Sequence, residues 1–86
     1  MYSVEFSPQA FEDMARLDKA VSKRILKKIE WVAENFDAII PLPLKGKFQG
    51  VYKLTIGDWR VLYTANLSER LITIHLVGHR SEIYKK

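Results

Sequence analysis

The chain has 86 residues, 48% of them hydrophobic and none of them cysteine. That length suits a single domain, residues 1–86, with a modest core burying roughly 60% of the unfolded surface, and it rules out a disulfide framework or a thiolate zinc site. Fourteen Lys and Arg against ten Asp and Glu give a net charge of +4, a balance found in nucleic-acid binders, in proteins with acidic partners, and in domains that charge simply keeps soluble. No apolar run approaches the ~20 residues of a membrane span, and the N-terminus lacks the order of a secretory signal. The expectation is a cytoplasmic protein with no membrane contact.

The segment Tyr2–Phe6, YSVEF, alternates and predicts a short strand. Ser7 and Pro8 then open a helix, as cap and first helical residue, with Phe11, Met14 and Ala15 spaced for one face. Asp18 caps a second helix over 19–35. Its apolar stripe is Val21, Ile25, Ile29, Val32 and Phe36. Lys19, Lys23, Arg24, Lys27 and Lys28 fill its first half, and Glu30, Glu34 and Asp37 follow. This order opposes the helix macrodipole, which favours anions at the N-terminus. Either the basic half is a binding face or it is a solvated face whose side chains snorkel.

Residues 37–50 read as irregular, because Pro41 and Pro43 exclude helix and Gly46 and Gly50 punctuate a loop. Lys45 and Lys47 add charge there. Val51–Ile56 and Trp59–Thr64 predict two strands joined at Gly57-Asp58 by a two-residue turn. A last strand covers Arg70–Val77, after a turn over Asn66–Glu69. Alternation puts Tyr52, Leu54, Ile56, Trp59, Val61, Tyr63, Ile72, Ile74 and Leu76 on a core face. Lys53, Thr55, Arg60, Thr64, Thr73 and His75 fall on the other, open to solvent, with Leu62 as its apolar exception. The fold class is therefore α+β: an N-terminal strand, two helices, then an antiparallel three-strand meander, the helices packed on one face of a small sheet.

No metal site is expected, since His75 and His79 are the only histidines and no acidic cluster stands beside them. No cofactor is expected either, because no Gly-rich phosphate loop is present. What remains is a cationic set: Lys53, Arg60, His79, Arg80 and Tyr84. RNA cleavage needs little more than such a set. The RNA supplies its own 2′-hydroxyl nucleophile, cations stabilise the phosphorane, and an aromatic ring stacks on a base to hold the in-line geometry. Arg60 and Arg80 suit bidentate phosphate contact, Lys53 adds a point charge, and histidine is the residue type that exchanges protons near neutral pH. Lys45, Lys47, Lys23 and Lys27 are candidate nucleic-acid contacts. The plainer alternative is that Lys53 and Arg60 keep a sheet face soluble, Tyr84 is a late core aromatic, and His79 is a surface residue.

Two blocks, LKGKFQGVYKLTIGDWRVLY (residues 44–63) and VGHRSEIY (residues 77–84), resemble the RelE/ParE superfamily of bacterial and archaeal toxins, and the resemblance extends over nearly the whole chain. It implies a type II toxin neutralised by a cognate antitoxin in a hetero-oligomeric complex. RelE-like members cleave mRNA in the ribosomal A site without metal, leaving a 2′,3′-cyclic phosphate, whereas ParE-like members poison DNA gyrase. The ending GHRSEIY looks like the RelE branch. Arg80 and Tyr84 match positions for phosphate contact and base stacking, and Lys53 and Arg60 match the cationic strand positions. Thr55 departs from the pattern, since some members carry a second lysine there. That weakens catalysis or shifts the proton-transfer burden to His79. The implied activity is a ribosome-dependent mRNA endonuclease. The alternatives are a gyrase inhibitor and a binding module without catalysis.

Overall fold

Capping chemistry sets both helix starts in the computed structural model, which describes residues 1–85. Ser7 caps α1 (Pro8–Ala15), its Oγ accepting the Ala10 N–H at 3.1 Å. Asp18 caps α2 (Lys19–Asn35), its Oδ1 accepting the Val21 N–H at 2.9 Å. The predicted stripe of α2 faces inward: Ile25, Ile29, Val32 and Phe36 are buried and Val21 packs partly against them.

The strands are β1 (Ser3–Phe6), β2 (Leu42–Pro43), β3 (Tyr52–Ile56), β4 (Trp59–Asn66) and β5 (Leu71–His79). They form one sheet in the order β1-β5-β4-β3-β2. The expected α+β class holds, and the meander β3-β4-β5 is antiparallel. Two features go beyond the expectation. β1 pairs parallel to β5, with Val4 opposite Ile72 and Phe6 opposite Ile74. The segment read as irregular also holds the two-residue edge strand β2, where Pro43 is tolerated because an edge leaves one row of donors unneeded. Both helices lie on one face, with Ala10, Ile25, Ile29 and Ala33 packed against Val61, Tyr63, Ile72, Ile74 and Val77.

The expected side-chain alternation fails in β5. A register irregularity between Leu62 and Tyr63 leaves His75 as the extra residue between two paired stretches. Beyond it every side chain changes face. Leu76, expected in the core, lies opposite Leu62 on the far face, and Val77 takes the core position instead. A buried carboxylate accompanies the break. Asp13 of α1 is only 5% exposed; its Oδ2 accepts the Val77 N–H at 3.0 Å and its Oδ1 accepts from Gln9 Nε2 at 2.9 Å. β1 has ended by this point, so α1 supplies partners along that edge of β5. The Ser7 hydroxyl likewise donates to the His75 carbonyl at 3.0 Å.

The far face is not open to solvent, as the alternation had implied. Leu62 is 1% exposed and Ile83 is fully buried. The chain turns back after β5, and a 3-10 helix over Ile83–Lys85 brings Ile83 against Gly78. A Cβ on Gly78 would lie 3.3 Å from Ile83 Cδ1, so the close approach suits glycine. Burying two aliphatic side chains contributes about 3–6 kcal/mol, which is reason enough for a polar tail to fold back on the sheet.

Candidate functional site

The β3–β4 hairpin organises the cationic face. Gly57 has φ of 57°, and its partner in the loop, Asp58, does not share the positive φ, as a two-residue loop led by glycine requires. The turn fixes Lys53 opposite Leu62 and Thr55 opposite Arg60. Lys53 and Arg60 are thus diagonal neighbours on the face away from the helices. The Arg60 guanidinium folds over the turn, its Nη1 donating to the carbonyls of Gly57 at 2.8 Å and Trp59 at 2.9 Å. Both acceptors are neutral, so the charge of Arg60 stays uncompensated.

Arg80 comes to the same turn from the end of β5. Its N–H donates to the Asp58 carbonyl at 2.8 Å, and its Nε lies 3.5 Å from Asp58 Oδ1. This ion pair is well exposed on both sides and is weak for that reason. Tyr84 follows in the tail, 36% exposed, with its ring edge-on to Phe48 at a centroid distance of 6.1 Å. Phe48 belongs to the 3-10 helix Gly46–Phe48, and Lys47 Nζ sits 5.3 Å from its ring centroid. Lys45 precedes this turn, and both lysines are exposed.

Other expected members fall elsewhere. His79 pairs with Trp59 in the β4–β5 ladder, and its ring packs edge-on to the indole at 5.5 Å, on the helix side of the sheet. Its Nδ1 is engaged with Ser81, 2.8 Å from the hydroxyl and accepting the amide at 3.2 Å. The expectation that the tail carries His79 to Lys53 and Arg60 is therefore corrected: the register break in β5 puts its side chain on the opposite face. His75 does lie on the far face, with Nε2 2.8 Å from Thr64 Oγ1. Lys23 and Lys27 belong to α2, in the layer behind the sheet. They do not join Lys45 and Lys47. Lys27 instead lines a groove with Arg24, Lys28, Trp31 and Ile56, in which Lys28 Nζ lies 4.5 Å from the Trp31 ring.

Sequence reasoning overlooked Asp58, Phe48 and Ile83. Ile83 had a signal, being the one aliphatic residue in a polar tail, but nothing local said which surface it would meet. Among the described residues no group of His, Asp and Glu could hold a metal ion, and no helix is long and apolar enough to cross a membrane.

Residues 4–84 match a family model described as the ParE toxin of type II toxin-antitoxin systems. No curated protein matches the sequence. Among solved structures, the isolated E. coli RelE toxin is similar with a TM-score of 0.78 at 25% identity, covering 99% of this chain and 93% of that one. The YoeB dimer from Staphylococcus aureus gives 0.71 at 27% identity, with 91% and 95% covered. The toxin-antitoxin complex RelBE2 from Mycobacterium tuberculosis gives 0.81 at 21%, with 92% and 98% covered, a likeness of fold.

Proposed function

Since the chain belongs to the ParE toxin family of type II toxin-antitoxin systems, within the RelE/ParE superfamily, we propose that it acts in the RelE manner, as a ribosome-dependent mRNA endonuclease. The observation that carries this reading is the meeting of Arg60 and Arg80 at one rigid two-residue turn, beside Lys53. In the proposed reaction the 2′-oxygen of the mRNA attacks the adjacent phosphorus. The bond to the 5′-oxygen breaks, leaving a 2′,3′-cyclic phosphate and a 5′-hydroxyl. Arg60 and Arg80 stabilise the charge that builds on the phosphorane, with Arg80 exchanging its weak pair with Asp58 for phosphate. The 2′ proton passes to water, eased by the field of the Lys53 ammonium, and the leaving 5′-oxygen takes a proton from that ammonium or from water. Tyr84 stacks on a base. His79 has no part in this arrangement, and Lys53 takes over the proton-transfer role first given to it.

The partner in this reading is a cognate antitoxin, and the complex is hetero-oligomeric. An acidic, partly apolar antitoxin segment suits the groove beside α2, where exposed Trp31 lies among Arg24, Lys27 and Lys28. The proposed substrate is mRNA in the ribosomal A site, which assigns the protein to the cytoplasm. Primer extension on mRNA from translating ribosomes tests the reading: added protein should give cuts phased with codons. The second reading is gyrase inhibition, favoured by the ParE description of the matching family. Unbroken mRNA together with lost DNA supercoiling activity of purified gyrase would decide for it.

A further inference from the structure

We propose that Phe48 is a positioning residue for Tyr84, holding that ring where it receives a base. The proposal rests on the nuclease reading and deepens it. A tyrosine on a short terminal turn has free rotamers, and fixing them is part of the cost of stacking. Here that cost is met before substrate arrives. The Tyr84 ring stands at 69° to Phe48, an edge-to-face contact, and such a contact leaves a π-face free for a nucleobase. Phe48 is itself held by its loop. Its N–H donates to the Lys45 carbonyl at 3.4 Å, its carbonyl accepts the Val51 N–H at 3.0 Å, and Leu44 N–H donates to the Val51 carbonyl at 2.9 Å, tying the loop to the start of β3. Gly46 and Gly50, with φ of 68° and 88°, bracket the turn in conformations other residues adopt at a cost. From the other side, buried Ile83 pins the tail on Gly78 next to Tyr84 in sequence. Two anchors of different origin, one loop and one tail, thus converge on a ring that stays 36% exposed. Lys47, over Phe48 at 5.3 Å, puts a cation beside the same corner for the backbone of the stacked nucleotide.

A double-mutant cycle tests this on the full chain with programmed ribosomes. Phe48→Leu keeps apolar volume and loses the ring; Phe48→Tyr keeps the ring. Phe48→Leu should raise the KM for cleavage about tenfold, roughly the lower part of what one stacked base contributes, while Phe48→Tyr stays close to wild type. In a Tyr84→Ala background Phe48→Leu should cost nothing more, because its effect runs through a ring already removed. An equal loss in both backgrounds would overturn the proposal, as would wild-type cleavage by Phe48→Leu, even with a lowered Tm. A wild-type protein that cuts no mRNA would sink the nuclease reading instead. The cycle is then read as affinity for a 2′-O-methylated RNA hexamer: coupling there supports the role of Phe48, and additivity or absent binding ends it.

Discussion

Arg60 donates to two neutral carbonyls and Arg80 forms a long ion pair with one well-exposed carboxylate, so neither charge is bound up in the fold. Arg60→Ala and Arg80→Ala should each lower the cleavage rate by ~10²-fold or more and leave the Tm nearly unchanged. Single-turnover cleavage beside thermal melts checks both halves of that statement. His79→Gln should leave the rate near wild type, because the ring sits behind the sheet against Trp59; a large loss of rate at unchanged Tm would restore His79 to the mechanism. Tyr63 carries a different prediction. It is 2% exposed, and burial first, then the neighbouring Tyr52, push its hydroxyl from 10.0 up to about 12. A raised value means that the folded state holds the proton more tightly than the unfolded chain. The resulting stability is complete below pH 10 and drains away as pH rises toward 12, with an upper bound of about 3 kcal/mol. Urea unfolding at alkaline pH should show wild type losing stability that Tyr63→Phe keeps, the difference between the two cancelling the lysines that titrate in the same range.

At the scale of elements, α1 does more than cover the core. Asp13→Ala would leave the buried Val77 N–H without its acceptor, at a cost of about 1–3 kcal/mol. Denaturant titration should show that loss, with a smaller one for Gln9→Ala, whose amide only steadies the carboxylate. The helices were legible because their signals are local: Ser7, Pro8 and Asp18 act within one turn, and the stripe of α2 repeats four times. The hairpin was legible for the same reason, since Gly57 answers to its own backbone. The register break in β5 was not, because an extra residue changes no composition and is supported from α1, far away in sequence. Missing it put Leu76 on the wrong face, and ending the strand at Val77 left His79 to a tail when it belongs to β5 opposite Trp59. Lys53, Arg60 and Arg80 were readable as a set because they sit on or beside one hairpin. Phe48 was not, because its partner Tyr84 arrives through the folding of the tail.

For the whole molecule, a net charge of +4 and a basic outer helix predict a partner held partly by long-range attraction. Affinity for the antitoxin should fall as salt rises, and Lys27→Glu should lower it further while sparing cleavage, since this residue lies on α2 in the groove beside Trp31 and Ile56. Binding measured at low and high ionic strength, alongside the cleavage assay, checks this. An affinity indifferent to both changes would move the interface to another surface.

The parallel pair of β1 and β5 ties distant parts of the sequence together: Thr73 donates to Glu5 across 68 residues of sequence, and β5 lies between β1 and β4 in the interior of the sheet. This interior strand is thus synthesised after both of its neighbours. Until residues 71–79 have emerged, β1 and β4 have no shared neighbour, the core face has no floor, and Arg80 and Tyr84 do not yet exist. A chain that stops before β5 therefore lacks both the closed sheet and the two tail residues that the proposed reaction uses. Contacts this far apart in sequence also form slowly, which leaves a nascent toxin an interval in which its antidote can reach it first.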